Sequence, residues 1–275
     1  MVVNKEDKET YLYINGIKVS HAITLDEGLT LLPVASEFDF ESASKLIKSD
    51  VDYSIVVLAA NSLYSQIRVA ANSVEELVIK AWNAQWDCAI LSAILNTNII
   101  SNIQCDKKVE CLKEATNINI TNYRLYGLNG SFKELSSEDE SWIEKNYANA
   151  KLLLDNKQFE TAIHCMSSYT WHSLPRVQIA ILWSGIESLF NVSTELSFRI
   201  GLHIALFLSA DNKDEAEKIF NNVRKLYNIR SSAVHGNKIK EDLTEYVSQS
   251  SELLNKLIRR CAEIGNIPNP KELIF

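Results

Sequence analysis

The sequence has few cysteines, the residues whose disulfides stabilise small secreted proteins. Its 275 residues include only five cysteines, at positions 88, 105, 111, 165 and 261, and no two of them form a Cys-x-x-Cys pair. Because their number is odd and zinc-site spacing is absent, we expect reduced thiols, a cytoplasmic protein, and neither a disulfide framework nor a structural metal. No metal and no cofactor enter the predicted site.

Long apolar runs are also missing. The longest, such as residues 88–95, are much shorter than the roughly 20 residues that cross a bilayer. Residues 1–7 are polar and contain no signal-peptide core. Hydrophobic residues make up 46% and charged residues 23%, which is typical of globular domains, so we expect one large or two ordinary domains and no membrane contact.

Positive charge is scarce in the first half of the chain. Residues 1–139 contain 12 basic and 19 acidic residues, whereas the remainder contains 16 of each, so the formal net charge of −7 lies in the first half. The whole chain is therefore not a general nucleic-acid binder. Any contact with RNA must be local, and the acidic half is expected to repel RNA or to face a protein partner.

Residues 1–135 are predicted to form an α+β domain, a candidate sensor or regulatory domain. Asn15-Gly16 between two β-prone runs predicts a hairpin. The capping box from Ser73 to Glu76 predicts a long helix that ends near Leu95, and Glu41–Ser49 is predicted to form a short helix. Further strands are predicted at Leu29–Leu32, Tyr53–Leu58, Leu63–Ala70 and Ile118–Tyr126.

Two tryptophans share one face of that long helix. Trp82 and Trp86 are four residues apart and could stack on bases, but such a pair more often belongs to the core. We therefore expect both rings to be buried.

Residues 136–275 are predicted to form an all-α bundle. The capping box Ser137–Glu140 begins a helix to about Leu154, and Pro175 suits the first turn of a helix that ends at Phe190. The other predicted helices are Gln158–Tyr169, Glu195–Ser209, Asp214–Tyr227 and Glu241–Ile264.

The residues that carry chemistry lie near the C-terminus, where Arg230 precedes His235 by five positions. Histidine has an ordinary pKa of about 6.5 and exchanges protons at neutral pH, and arginine presents a planar fork of donors that matches a phosphate. Together they could cut RNA without a metal. The stretch 218–240 has no acidic residue and contains six basic ones, which indicates either a phosphate-binding surface or a solvated basic helix face. These six are Lys218, Arg224, Lys225, Arg230, Lys238 and Lys240.

Three blocks resemble the HEPN superfamily, in particular its Apea-like branch. The block Leu226–Gly236 reads LYNIRSSAVHG, and it is preceded by ILWSGIESLF at Ile181–Phe190 and by LSFRIGLHIAL at Leu196–Leu206. The resemblance covers roughly residues 140–262. Many nuclease members have Asn, Asp or His directly after the arginine, where this chain has Ser231.

The resemblance implies a HEPN-type helical bundle and a metal-independent endoribonuclease that leaves a cyclic phosphate. It further implies a toxin or effector in bacterial defence against phage, and a homodimer in which two motifs meet in one cleft. On a regular helix Arg230 and His235 are about 140° apart, so either the helix ends near Gly236 and lets the histidine turn, or a second copy completes the site. The predicted catalytic residues are Arg230 and His235. The predicted phosphate-binding residues are Arg199, Arg224, Lys225 and Lys238, and the predicted supporting residues are Glu187 and Ser231.

Glu187 lies in an apolar run, where a charge is unfavourable unless it is paired. It could point out of the bundle, form a buried ion pair, or orient Arg230 or Arg199. His203 is expected to be a partly buried helix residue, and no role is predicted for the other histidines, His21, His164 and His172. The alternative function is a non-catalytic HEPN module that binds RNA or nucleotide, or scaffolds a larger complex.

Overall fold

The chain forms an N-terminal region built on an antiparallel sheet, followed by a helical C-terminal region. A computed structural model describes residues 3, 7–125, 132–190, 196–235 and 242–273. Two compact units are present: unit 1 comprises Met1–Ser92 and Thr97–Ala148, and unit 2 comprises Ala93–Asn96 and Asn149–Phe275. The division falls after Ala148, whereas the sequence suggested a boundary after residue 135.

Unit 1 is organised around a six-stranded sheet in which every neighbouring pair of strands is antiparallel. Its strands are β1 (Glu9–Asn15), β3 (Ile23–Asp26), β4 (Leu29–Pro33), β5 (Leu63–Ala70), β6 (Ile100–Cys105) and β7 (Ile118–Ile120), in the order β3-β4-β5-β1-β6-β7. Strand β1 is buried on both faces: Tyr11 and Tyr13 join one core cluster, and Leu12 and Ile14 are fully buried on the other side.

The hairpin predicted at Asn15-Gly16 is wrong. Strand β1 is paired on its two edges with β5 and β6, so no edge is left for the residues that follow the turn. Those residues form β2 (Ile17–Lys18), which pairs in parallel with β8 (Lys133–Glu134). Gly16 has a φ of +100°, and a Cβ there would lie 2.0 Å from the Asn98 carbonyl oxygen. Glycine is therefore required because the backbone of residue 16 lies close to Asn98, and not because of a hairpin.

Among the described residues of unit 1 begin the α-helices α1 (Phe40–Leu46), α2 (Asp50–Ala60), α3 (Val74–Leu95) and α4 (Ser137–Leu152). Residues 53–58, predicted as a strand, lie in α2, where the Ser49 side chain accepts a hydrogen bond from the Asp52 amide. The predicted cap of α3 is confirmed, because Ser73 accepts from the Glu76 amide. In α4 the cap is Ser136, one residue earlier than predicted.

Unit 2 contains the helices α5 (Lys157–Ser168), α6 (Pro175–Phe190), α7 (Leu196–Ser209), α8 (Lys213–Val234) and α9 (Leu243–Ile264). Their predicted positions are confirmed within a few residues, except that α8 continues past its predicted end at Tyr227. Helix α6 packs against α5, α8 and α9. A Cβ on Gly185 would lie 2.9 Å from atoms of Cys165 and Leu254, so the missing side chain permits this close packing.

Candidate functional site

The arginine of the predicted catalytic pair lies on the inward-facing side of α8. Val223, Leu226 and Ala233 are buried, and Arg230 falls on the same stripe at helical spacing of three to four residues. Its side chain is therefore only 21% exposed. A guanidinium in such a position needs a partner.

That partner is Glu187 on α6. Nη2 of Arg230 lies 3.0 Å from Oε1 and 3.1 Å from Oε2 of Glu187, and the second contact has hydrogen-bond geometry. The carboxylate is itself only 27% exposed. Burial raises the pKa of Glu187 above its usual value, and the positive charge of Arg230 opposes this shift. The structure thus selects Arg230, and not Arg199, as the partner of Glu187.

Two aromatic rings support the ion pair. The Arg230 guanidinium lies 5.7 Å from the Tyr227 ring centroid, and Trp183 contacts Tyr227 edge-on at 5.4 Å. Trp183 is fully buried and donates from Nε1 to Ser250 at 3.2 Å, which fixes its ring. Nε of Arg230 is buried and has no hydrogen-bond partner among the described residues. One side of the guanidinium is therefore bound to Glu187, and Nε is left unsatisfied.

His235 lies at the end of the same helix but on another face. It is the C-cap of α8, its backbone N–H donates to the Ser231 carbonyl at 3.1 Å, and its side chain is exposed. Helix α8 is regular through Val234, so Arg230 and His235 remain about 140° apart around the axis. The turn of the histidine toward the arginine that the sequence suggested is not seen, and within the described residues the two side chains do not meet.

Sequence reasoning missed Arg176, which lies close to this helix end. Its Nη1 donates to the Ala233 carbonyl at 3.1 Å, one of the carbonyls that the last turn of α8 leaves without an intrahelical partner. A basic residue in the first turn of α6 is unfavourable for the helix dipole. That local mismatch was the available signal that Arg176 has a tertiary partner.

The predicted phosphate-binding residues lie in different surroundings. Arg224 is exposed on α8 with its guanidinium 5.4 Å from the Phe220 ring centroid, and Lys225 lies 5.5 Å from the Tyr246 ring centroid. Arg199 is exposed on α7. Lys238, like Gly236, falls outside the described residues. Ser231 is partly buried, and its known contribution to the site is the carbonyl that accepts from His235.

His203 is more deeply buried than expected. It is fully buried on α7, its ring stacks on Phe190 with a centroid distance of 6.5 Å, and neither ring nitrogen has a hydrogen-bond partner in the described part of the chain. Burial lowers the pKa of His203, and the charge of Arg199 lowers it further. The buried ring is a core residue and cannot reach RNA.

The other histidines and the tryptophans Trp82 and Trp86 form no part of the Arg230–Glu187 contact. His164 and His172 are exposed. In unit 1, Nδ1 of His21 lies 3.3 Å from Glu140, a neighbour that the sequence did not suggest. The expectation of a buried tryptophan pair is wrong for Trp82, which is 66% exposed, and Trp86 is only partly buried.

Metal ligands are not clustered in the described ranges, where no group of three His, Cys, Asp or Glu side chains is arranged around a common point. Within the same ranges no helix combines the length and the apolar character needed to cross a membrane. Burial raises the pKa of the Cys88 and Cys261 thiols to about 12, so both are poor nucleophiles. Arg230 and His235, with Glu187 beside the arginine, are the candidates for chemistry that the sequence singles out.

The three sequence blocks that resemble HEPN proteins correspond to most of α6, α7 and the end of α8, and the glutamate of the first block binds the arginine of the third. Compared with protein-family models, with curated proteins and with solved structures, the chain gives no match.

Proposed function

We propose that unit 2 is a metal-independent endoribonuclease of the HEPN type. The observation that carries the proposal is the Glu187–Arg230 ion pair, which joins two separate blocks of the resemblance in one contact. An exposed histidine follows the arginine at the end of the same helix. These are a proton carrier and a fixed positive charge, the two elements that RNA cleavage without a metal needs.

In this mechanism the ribose 2′-hydroxyl attacks the adjacent phosphorus and the bond to the 5′-oxygen breaks. A base takes the proton of the 2′-hydroxyl, an acid gives a proton to the departing 5′-oxygen, and the products are a cyclic phosphate and a free 5′-hydroxyl. His235 of one copy would serve as the base, and His235 of a second copy would serve as the acid. Arg230 would stabilise the negative charge that develops on the phosphate oxygens.

Glu187 has a positioning role in this proposal. Its carboxylate is held in a buried place that raises its pKa, so the ion pair is a weak source of stability. Its contact does fix the direction of a flexible side chain. We propose that Glu187 holds Arg230 so that the other donors of the guanidinium face the phosphate.

Unit 1 would regulate the nuclease. Its acidic excess over residues 1–139 suits a protein trigger better than an RNA ligand. The setting that the HEPN resemblance suggests is a cytoplasmic toxin or effector of bacterial antiphage defence, in which recognition by the acidic unit releases RNA cleavage.

The direct test is the variant His235→Ala, assayed on purified protein with total cellular RNA. We expect cleavage to fall by about a hundredfold or more, because the proton carrier is lost. His172→Ala is the matched control, since His172 is an exposed histidine of the same unit without a proposed role, and it should cut normally. EDTA should leave the wild-type rate unchanged. Equal rates for His235→Ala and wild type would refute the assignment.

The second candidate is a non-catalytic module that binds RNA or nucleotide. It is favoured by one observation: Arg230 is mostly buried, bound to Glu187, and on a different face from His235. A purified wild-type protein that binds RNA but produces no 5′-hydroxyl ends would support this candidate over the nuclease.

A further inference from the structure

An exposed aromatic ring of α7 and an arginine of α8 both contact the ring of Phe220. Phe198 on α7 is 52% exposed, and its ring contacts Phe220 of α8 edge-on at a centroid distance of 5.5 Å. The Arg224 guanidinium lies 5.4 Å from the centroid of the same Phe220 ring. We call Phe198, Phe220 and Arg224 the phenylalanine–arginine platform. Exposure of so large an apolar side chain beside a cation suggests a binding role.

The platform is supported by a glycine. A Cβ on Gly201 would lie 3.2 Å from Cγ of Arg224 and 3.2 Å from Cδ2 of Phe220. The absence of that atom lets the stem of Arg224 and the ring of Phe220 lie directly against α7. The arginine is therefore held by packing, whereas an ordinary surface arginine samples many rotamers.

The platform shares a face of α8 with His235. Arg224 and His235 are eleven residues apart, which is about three helical turns, so they point in the same direction about 16 Å apart along the axis. A strand held on the platform can therefore extend along this face of α8 toward His235.

We propose that the phenylalanine–arginine platform binds an unpaired base of single-stranded RNA. The base stacks on Phe198, Arg224 contacts the neighbouring phosphate, and the strand continues along α8 to His235. Unpaired bases expose the flat faces that aromatic and guanidinium groups stack on, whereas a duplex hides them. The inference rests on the proposed function and adds to it a binding site for an unpaired base, formed by Phe198, Phe220 and Arg224.

The test measures RNA affinity in a His235→Ala background, so that the RNA stays intact. Fluorescence anisotropy would compare a labelled unstructured 12-nucleotide RNA with a duplex of equal length. Phe198→Ala should weaken binding of the single strand about tenfold or more and should leave duplex binding unchanged. Phe198→Tyr keeps the stacking face and should bind normally. Phe198→Leu keeps apolar contact without an aromatic face and should behave like Phe198→Ala.

Trp82→Ala is the control for an exposed aromatic ring in general, because Trp82 is 66% exposed but lies in the acidic unit. It should bind RNA as the background protein does. Normal affinity of Phe198→Ala or Phe198→Leu, or an equal loss for single strand and duplex, would overturn the inference. So would a change of oligomeric state without a change in RNA affinity, since the face would then be a protein-docking surface. A protein that binds single strands through Phe198 but never cuts them would remove the nuclease proposal and leave the platform standing.

Discussion

At the scale of single residues, the Arg230–Glu187 pair differs from an ordinary stabilising salt bridge. Burial raises the pKa of Glu187 in spite of the adjacent guanidinium, so the folded protein holds this proton more tightly than the unfolded chain does. The stability that this group contributes is therefore present below its usual pKa of 4.5 and is lost as the pH rises through the raised value. A partly buried pair of this kind is a weak source of stability.

The variant Glu187→Gln separates geometry from stability. Glutamine resembles the protonated acid and does not titrate. The difference in free energy of unfolding between the variant and wild type should therefore shift in favour of the variant as the pH rises from 4 to 7. Cleavage by Glu187→Gln should nevertheless fall, since Arg230 loses the carboxylate that holds it in place. In a second variant, Arg230→Lys, the cleavage rate should fall about a hundred- to a thousandfold, because the lysine ammonium cannot replace the planar guanidinium. Urea unfolding at the two pH values and single-turnover cleavage would measure both effects. A variant that is less stable at pH 7 but cuts RNA normally would make the pair purely structural.

His203 gives an independent prediction. Since burial lowers its pKa from 6.5, the unfolded chain takes up a proton at a higher pH than the folded protein, and stability should fall as the pH drops below 6.5. His203→Phe fills the space without a titratable group, so it should avoid the loss of stability that wild type suffers as the pH falls from 7.5 to 5.5.

The free energy of unfolding of wild type, His203→Phe and the exposed control His172→Phe at pH 7.5 and pH 5.5 would check this. An identical loss in all three proteins would mean that His203 does not titrate on unfolding. The sequence pattern correctly predicted that His203 lies on a helix. Its burial could not be predicted from neighbouring residues, because it depends on contact with Phe190 and on the packing of α7.

At the scale of elements, local signals predicted helix starts well and pairing partners poorly. Ser73 caps α3 as predicted because a cap involves only neighbouring residues. The hairpin failed because Asn15-Gly16 follows a strand whose two edges are taken by β5 and β6, strands that begin about 50 and 85 residues later. The apolar run in α2 resembled a strand because β-branched residues such as Ile55, Val56 and Val57 favour strands, whereas the structure places the run in a helix with Ser49 as its N-cap.

Arg176 links two elements, and removing it should affect α8 more than α6. In Arg176→Gln the Ala233 carbonyl loses its charged donor, so the last turn of α8 should fray and the whole unit should lose about 1 kcal/mol. Hydrogen exchange of the segment around residues 228–235 should accelerate, and cleavage should fall because His235 ends that turn.

Arg260→Gln is the matched control for this element, because Arg260 forms a surface pair with Glu263 that is about half exposed. It should change neither exchange in α8 nor cleavage. Unaltered exchange of the α8 segment in Arg176→Gln would show that the carbonyl contact does not hold the helix end.

At the scale of the whole molecule, the sequence predicted the order of a sheet region and a helical region, because the hydrophobic period changes along the chain. It did not predict where the units divide. Ala93–Asn96 belong to unit 2 because Asn255 and Arg259 of α9 donate to the carbonyls of Ala93 and Ile94, at 2.7 Å and 3.5 Å. These contacts join residues more than 160 positions apart, so no local sequence pattern indicates them.

The separation of Arg230 and His235 on one helix gives a prediction about assembly. If one site needs His235 from two copies, a chain with His235→Ala should inactivate the wild-type chain with which it pairs. After equal amounts are mixed and subunits exchange, activity should fall to about a quarter of that of the same total amount of wild type, because about a quarter of the pairs contain two intact chains. Mixing with His172→Ala should preserve full activity. A value near one half would mean that each chain cuts RNA by itself, and the helix end would then have to bring His235 and Arg230 together within a single copy.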